Sequence, residues 1–456
     1  MLLHQPWMNG LADLEIELRQ AQDEGKSLTD AIKSRAEKLK GMAANDRHAL
    51  HEAIALYRDV QTLPTIPDYP YIEPEGFSEI LDARPCQISL PQWKGEKTEL
   101  YDRIYGGWLA RCCGCLLGQP VEGWRSQRIL GLLKESGNYP IHTYFTSQLP
   151  SEVRERYDVS DEGGPYGAEK KSWINNVACM PEDDDTNYTV LALRLVEKYG
   201  RDFTPEDVAE CWLSSLPLLH TCTAERIAYL NLCKLYLPPQ SALFCNPYRE
   251  WIGAQIRADL FGYINPGDPK TASEMALRDA YISHTKNGIY GEMFVAAMIA
   301  AAFVVEDIPT IIRAGLDMIP PQCRLAESIR LLLFLKEKGA GPEDAIKAIR
   351  EHWDENNPHD WCHVISNAML VTVGLLYGEK DLSASLSFGI LYGFDTDCNA
   401  ATIGSILGVL WGAKKLPAHW TEPLHDRLLS GVDGLGSVAI SHLAQRTADL
   451  AKVSPT

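Results

Sequence analysis

Two acidic runs that open apolar segments constrain the fold of this chain more than any other feature. The first holds Asp183, Asp184 and Asp185 and continues as TNYTVLALRLVEKYG, and the second holds Asp395 and Asp397 and leads into NAATIGSILGVLWGA. Both apolar segments are predicted to be helices. The acidic runs are therefore expected at helix N-termini, where the helix dipole and free N–H groups favour negative charge.

The two runs are 210 residues apart, counted from Asp185 to Asp395, and neither contains a Lys or Arg. If the fold brings them together, about five carboxylates share one site, and their mutual repulsion calls for bound cations. Carboxylate oxygens are hard ligands, which points to Mg²⁺ or Mn²⁺ rather than zinc. A single Asp before a helix is more often only an N-cap, but two such runs are harder to explain as coincidental caps.

Four motifs along the chain resemble, in order, those of the ADP-ribosylglycohydrolase family. Asp183-Asp184-Asp185-Thr186 resembles the early T-D-D-T motif of that family, and Gly393-Phe394-Asp395-Thr396-Asp397-Cys398 resembles its late G-G-D-T-D-T motif. GCLLGQPVEG, from Gly114 to Gly123, resembles G-D-x-x-G-x-x-x-E with Glu122 as the acid, and Ser283-His284 resembles a Ser/Thr-His pair before a small-residue helix. The resemblance covers residues 97–435.

The resemblance implies a hydrolase that cleaves a ribosyl glycosidic bond beside two divalent cations, Mg²⁺ or Mn²⁺. The metal ligands that it implies are Asp183, Asp184, Asp185, Asp395, Asp397 and Cys398. Asp183 and Cys398 stand where the family has Thr, and Cys398 is a soft ligand poorly matched to Mg²⁺, so it either binds metal or only lines the site. The implied catalytic residues are Glu122, Asp185 and Asp395, and the implied substrate-binding residues are Asn187, His284 and Tyr290.

Two departures from the family pattern bear on the substrate. Cys115 replaces the Asp of the glycine motif, and the segment from Ile252 to Tyr263, where a glycine-rich loop would hold a diphosphate, is not glycine-rich. The metal site is thus better supported than a diphosphate site. Three hypotheses stay open: removal of ADP-ribose from a protein or small molecule, hydrolysis of a related ribosyl compound or other glycoside without a diphosphate, and a non-catalytic binding protein of the same fold.

The composition indicates a globular protein with an acidic surface. Its formal net charge is −18, which argues against nucleic acid as a partner because phosphate binding needs clusters of Lys and Arg. The longest uncharged apolar run, Met293 to Val305, is too short to span a bilayer. The N-terminus lacks the features of a signal peptide, and twelve scattered cysteines are typical of a reducing compartment. A cytoplasmic protein without membrane segments is expected.

Helical periodicity dominates the chain, so the predicted fold class is all-α, and the resemblance implies a compact orthogonal bundle. Residues 1–95 are predicted to be a helical extension that packs on the catalytic domain. It has one or two helices in 8–60, broken near Gly25 or Asn45, followed by an extended, proline-rich connector from Pro64 to Pro91. Residues 96–456 are the predicted catalytic domain, and the small residues of LYDRIYGGWLARCCGCLLG, from Leu100 to Gly118, predict close helix packing. Its irregular segment 137–180 is interpreted as either a rim or lid of the site or a surface loop. The predicted helices cover 185–199, 205–214, 224–236, 272–283, 288–303, 309–317, 322–338, 342–352, 361–377, 382–391, 397–412 and one in the tail after Val432.

Overall fold

The computed structural model describes residues 6–7, 10–43 and 46–452, and helices form most of this part of the chain. The N-terminal extension (residues before 96) holds α1 (Leu14–Asp23), α2 (Asp30–Lys40), α3 (Arg47–Gln61) and α4 (Phe77–Ala83). The body (residues 96–452) holds α5 (Lys97–Gly118), α6 (Ser126–Glu135), α7 (Ser151–Arg156), α8 (Asp184–Tyr199), α9 (Pro205–Ser215), α10 (Thr223–Cys233), α11 (Gln240–Leu243), α12 (Asp259–Tyr263), α13 (Pro269–Ala280), α14 (Lys286–Ala302), α15 (Ile308–Leu316), α16 (Arg324–Glu337), α17 (Pro342–Arg350), α18 (Pro358–Cys362), α19 (Val364–Tyr377), α20 (Leu382–Ile390), α21 (Thr396–Trp411), α22 (Ala418–Thr421) and α23 (Ile440–Leu450).

The predicted all-α fold is confirmed, with one small exception near the C-terminus. Strands β1 (Arg427–Leu429) and β2 (Ser437–Ala439) pair antiparallel, with Leu428 opposite Val438. The helix predicted in the tail after Val432 is present as α23, and a glycine-containing turn and the β2 strand precede it. None of the helices in the described ranges combines the length and apolarity needed to cross a bilayer.

Three predictions need correction. The region 8–60 contains three helices with breaks on both sides of α2, not one or two helices; residues 8–9 and Asn45 lie outside the described residues. The proline-rich connector is not wholly extended, since it contains α4. The predicted helix 361–377 is divided at His363, whose backbone is extended (φ −66°, ψ 140°) and whose side chain accepts a hydrogen bond from the Ile365 N–H as the N-cap of α19.

The extension packs on the body through buried charged groups. The Arg249 guanidinium contacts Glu17 Oε2 at 2.6 Å and Glu24 Oε1 at 2.8 Å, both on or next to α1. In the connector, Glu73 accepts a hydrogen bond from the Arg324 guanidinium at 2.8 Å. Breaking a buried ion pair by removing one partner costs about 3–5 kcal/mol, so these contacts fix how the extension lies on the body.

The contact between α5 and α21 is the most extensive helix–helix contact among the described residues, and it positions the acidic site. Both helices are rich in small residues and approach closely, as the sequence of α5 predicted. A Cβ added at Gly114 would lie 2.1 Å from the Ala400 carbonyl oxygen, and one added at Gly118 would lie 2.4 Å from the Asp397 backbone nitrogen. The C-terminal end of α5 is thereby held against the N-terminal turn of α21.

Candidate active site

Both acidic runs lie at helix N-termini, as predicted. Asp183 is the N-cap of α8, and its carboxylate accepts a hydrogen bond from the Asp185 N–H at 2.9 Å. Asp395 is the N-cap of α21, but its side chain makes no capping hydrogen bond. The Asp395 carboxylate is therefore not engaged in stabilising the helix end and stays free for another partner.

The fold brings the two runs together. One ligand atom from each of Cys115, Asp183, Asp185 and Asp397 lies within 4.8 Å of the others, and the same holds for Asp395, Asp397 and Cys398. Asp397 belongs to both groups. Residues from α5, α8 and α21 therefore form one continuous acidic cluster, although they lie far apart in the sequence.

A cavity of about 270 Å³ opens onto this cluster. Its acidic lining comprises Glu122, Asp183, Asp184, Glu225, Asp395 and Asp397. Its other lining residues include Trp7, Pro165, Tyr166, Leu219, Arg226, Ile252, Ile256, Trp361 and Cys398. Pro165 and Tyr166 come from the irregular segment 137–180, so this segment supplies part of the cavity rim. The cavity thus combines an acidic part with apolar walls, as in many small-molecule sites.

Neighbouring polar groups hold the acidic side chains in place. The Gln119 side-chain amide donates to Asp183 Oδ2 at 2.5 Å, and the Cys362 thiol at the end of α18 donates to Asp395 Oδ2 at 3.4 Å. The Tyr166 hydroxyl accepts a hydrogen bond from the Asp184 N–H at 3.1 Å. The contacts of Gln119 and Cys362 orient the carboxylates of Asp183 and Asp395 before any ligand is bound, which is what a preorganised site requires.

A buried arginine, which was not predicted from the sequence, neutralises part of the cluster. Arg111, on α5, contacts Asp185 Oδ1 at 3.1 Å and Asp259 Oδ2 at 2.9 Å, and all three side chains are fully buried. Burial lowers the pKa of the Arg111 guanidinium. The charges of the Asp259 and Asp185 carboxylates raise it by more, so the net effect is a raised pKa. An arginine within the apolar, small-residue half of a helix is the sequence signal for such a buried pair.

The carboxyl groups of the cluster hold protons more tightly than isolated carboxyl groups do. Burial, together with the charge of Asp184, raises the pKa of Asp183 to about 7. Burial also raises the pKa values of Asp185 and Asp397 well above their usual range, with the neighbouring acids adding to the effect. For Glu122, which is exposed to the cavity, desolvation by the cavity walls and the charge of Asp395 raise the pKa in the same way.

The free oxygen atoms of the cluster fit divalent cations. The buried atoms Asp185 Oδ2, Asp395 Oδ1 and Asp397 Oδ1 have no hydrogen-bond partner among the described residues. A buried carboxylate oxygen without a partner costs free energy unless a proton or a cation satisfies it. Several such oxygens on converging carboxylates are the donor set that Mg²⁺ or Mn²⁺ prefers.

The two cysteines of the cluster are thiols and not thiolates. Burial and the surrounding carboxylates raise the pKa values of Cys115 and Cys398 well above the usual thiol range. Metal ions bind the thiolate form of cysteine, so the carboxylates are the better ligands here. Cys398 lines the cavity.

The residues predicted to bind substrate do not line this cavity. Tyr290 donates its hydroxyl hydrogen bond to the Pro74 carbonyl at 2.5 Å. His284 is buried, with Nδ1 2.8 Å from Ser283 Oγ. Asn187 donates to Glu182 Oε1 and accepts from the Gly431 N–H, each at 2.9 Å. All three side chains are engaged in contacts within the fold. Asp185, predicted to be catalytic, does not line the cavity either and is paired with Arg111.

The segment from Ile252 to Tyr263 forms a cavity wall but not an anion cradle. The Arg257 guanidinium contacts Asp279 at 2.5 Å and Glu225 at 2.7 Å and is buried. The Glu225 carboxylate lies against Gly253, where an added Cβ would be 2.1 Å from Glu225 Oε1. A carboxylate therefore covers the glycine backbone that an anion would otherwise approach. No sequence pattern marked Glu225, since its role arises from the packing of α10 against this segment.

A comparison with known protein families supports the resemblance of the motifs. The family model described as ADP-ribosylglycohydrolase matches residues 96–454. A solved structure described as an "ADP-ribosylglycohydrolase-related protein complex" is 18% identical, covering 78% of this chain and 100% of its own, with a TM-score of 0.43. No curated protein matches the sequence.

Proposed function

Because this chain belongs to the ADP-ribosylglycohydrolase family, we propose that it is a metal-dependent hydrolase of a ribosyl glycosidic bond. The observation that carries this proposal is the convergence of both acidic runs at one cavity. A structural relative without catalytic activity has no need of buried, unpartnered carboxylate oxygens, since they destabilise the fold when they are empty.

The proposed metal ligands are Asp183, Asp184, Asp185, Asp395 and Asp397, with Cys398 beside them. When bound, two divalent cations would supply positive charge that binds the ribose hydroxyls and stabilises negative charge in the transition state. Arg111 neutralises Asp185 from behind, so that the cluster carries less excess charge before metal binds.

Glu122 is the proposed acid–base residue. It follows α5 by four residues and is exposed to the cavity, and it carries a carboxyl group whose pKa is raised by desolvation and by Asp395. A carboxyl group with a raised pKa can hold a proton near neutral pH and exchange it with a reacting group. Asp395, whose carboxylate is free of a capping role, is the proposed partner that orients the reacting ribose.

The position of Glu225 favours a substrate without a diphosphate over ADP-ribose itself. A diphosphate is usually held by backbone N–H groups or by Arg and Lys. Here Glu225 covers Gly253, and Arg257 is paired with carboxylates. We expect ADP-ribose to bind no better than about tenfold over a ribosyl compound that lacks the diphosphate, a difference of about 1.4 kcal/mol. Calorimetric titration of both in saturating Mg²⁺ measures this, and a hundredfold preference for ADP-ribose would contradict it.

A substrate screen with matched variants tests the proposed function. ADP-ribosyl-arginine, ADP-ribosyl-serine, ADP-ribose derivatives and simple nucleosides are incubated with the protein in Mg²⁺ or Mn²⁺, and release of the ribosyl group is measured. Hydrolysis of at least one compound is expected, together with its loss in Asp184→Asn and Asp395→Asn variants whose helical circular dichroism is unchanged. Full activity in either variant would contradict the assignment, and metal binding without any hydrolysis would favour a binding protein.

A further inference from the structure

The cavity contains one basic side chain among its described lining residues, that of Arg226. It lies on α10, directly after Glu225, and its exposed fraction is only 4%. No carboxylate of the described residues lies within ion-pair distance of its guanidinium. An arginine in this setting, next to a site that binds ribosyl compounds, is a natural partner for a phosphate group.

The N-terminal extension occupies this guanidinium. Arg226 Nη1 donates to the Pro6 carbonyl at 3.1 Å, and the Trp7 ring lies over the guanidinium, with Cζ 4.9 Å from the ring centroid. The remaining contacts are to carbonyls of the body, from Nε to Thr221 at 2.8 Å and from Nη2 to Leu219 at 3.1 Å. Pro6 and Trp7 therefore occupy one N–H donor and one face of the Arg226 guanidinium that would otherwise be open to the cavity.

Trp7 is also part of the cavity wall. It lies outside residues 96–454, which the family model matches. The cavity wall beside Arg226 is thus completed by a segment of this chain that lies outside the part matched by the family model. Such a segment can alter which ligands fit without altering the acidic cluster.

We propose that Pro6 and Trp7 mask Arg226 and thereby set the specificity of the cavity against phosphate-bearing ligands. This inference rests on the proposed function, because it concerns the part of the ligand that lies beyond the ribose. Backbone carbonyls satisfy the guanidinium and the indole ring shields it. A phosphate would have to displace these contacts, whereas a neutral ribosyl compound would not.

The test compares two ligands that share adenine and ribose, ADP-ribose and adenosine, in the full-length protein with saturating Mg²⁺. The variants are Trp7→Ala, Trp7→Phe and the double variant Trp7→Ala with Arg226→Gln. Phe334→Ala is the matched control, since Phe334 is an aromatic residue of α16 that is 53% exposed and is not part of the cavity lining. Dissociation constants are measured by calorimetry.

Trp7→Ala is expected to tighten ADP-ribose binding about tenfold and to change adenosine binding by less than about twofold. Trp7→Phe and Phe334→Ala should behave like the wild type, and Arg226→Gln in the double variant should abolish the gain. An equal change in affinity for both ligands would contradict the proposed masking. A gain in ADP-ribose affinity that persists in the double variant with Arg226→Gln would contradict it as well. If the wild type binds adenosine and Trp7→Ala leaves both affinities unchanged, the masking alone fails. If neither the wild type nor any variant binds either ligand, both the proposed masking and the proposed function fail.

Discussion

Asp183 and Asp395 show how the same residue type at the same helix position can serve different purposes. The Asp183 carboxylate caps α8 and accepts a hydrogen bond from Gln119, whereas the Asp395 side chain leaves the end of α21 uncapped. Their positions at helix N-termini were predictable from sequence, because an apolar helical segment follows each acidic run. Their partners were not predictable, because Gln119 and Cys362 are brought to them only by tertiary packing.

The first prediction concerns Arg111, which balances the charge of buried Asp185 and Asp259. Replacing it by Met leaves two buried carboxyl groups without their cation, so a loss of about 3–5 kcal/mol in the free energy of unfolding is expected. Urea denaturation measures the loss. The control is Arg103→Met on the same helix, whose ion pair with Glu99 is partly exposed and is worth about 1 kcal/mol or less. Equal stability of the two variants would contradict a structural role for Arg111.

The second prediction uses the titration of Asp183. Its pKa is about 7 in the folded state against 3.8 for an isolated group, so the folded state binds more protons in this interval. The stabilisation that comes from the tighter proton binding of Asp183 in the folded protein is fully present below pH 3.8. It is lost as pH rises through about 7. In a chelator, the wild type should therefore lose stability relative to Asp183→Asn between pH 5.5 and 7.5.

Melting temperatures of both proteins at the two pH values measure this difference. The comparison with the variant is needed because other buried groups titrate in both proteins. Burial raises the pKa values of Glu17 and Glu225 to about 7, which gives the same pH dependence as Asp183, whereas it lowers the pKa values of His284 and His359, which gives the opposite one. Glu24, with a pKa of about 2, titrates outside this interval. A constant difference between wild type and variant across the interval would contradict the assignment.

At the scale of the elements, the α5–α21 contact determines whether the site exists. Close packing was predictable from the small residues of α5, as were most helices of the body. The break at His363 and the strands β1 and β2 were not, because they depend on a local cap and on pairing across a turn. Arg111 and Glu225 were also missed, since their partners lie on other helices.

The third prediction tests that contact. In Gly114→Ala, the new Cβ would lie 2.1 Å from the Ala400 carbonyl oxygen, and the backbone of α21 cannot move aside locally. We expect a loss of about 1–3 kcal/mol, as for overpacked cores, together with weaker metal binding, because the ends of α5 and α21 separate. Gly41→Ala is the control, since nothing lies within 4 Å of its added Cβ. Unchanged stability and metal affinity in Gly114→Ala would show that the packing does not position the site.

At the scale of the whole molecule, the extension and the body are joined by buried charged contacts, and the extension reaches the cavity through Trp7. The sequence predicted an N-terminal helical extension and favoured its packing on the body. It did not indicate contact with the site, because Trp7 precedes the predicted helices and carries no motif. The acidic cluster and the family resemblance together support the proposed hydrolysis of a ribosyl glycosidic bond. The residues of the cavity walls affect which substrates fit.

Calorimetric titration of Mn²⁺ and Mg²⁺ into chelator-treated protein tests the proposed divalent cation site, on which the proposed hydrolase activity depends. We expect saturable binding by the wild type, with a rise in melting temperature that follows the metal concentration. Asp395→Asn should bind at least about tenfold more weakly, a difference of about 1.4 kcal/mol, while keeping its helical circular dichroism. Absence of binding and of any shift in melting temperature at millimolar metal would contradict the metal site and the hydrolase built on it.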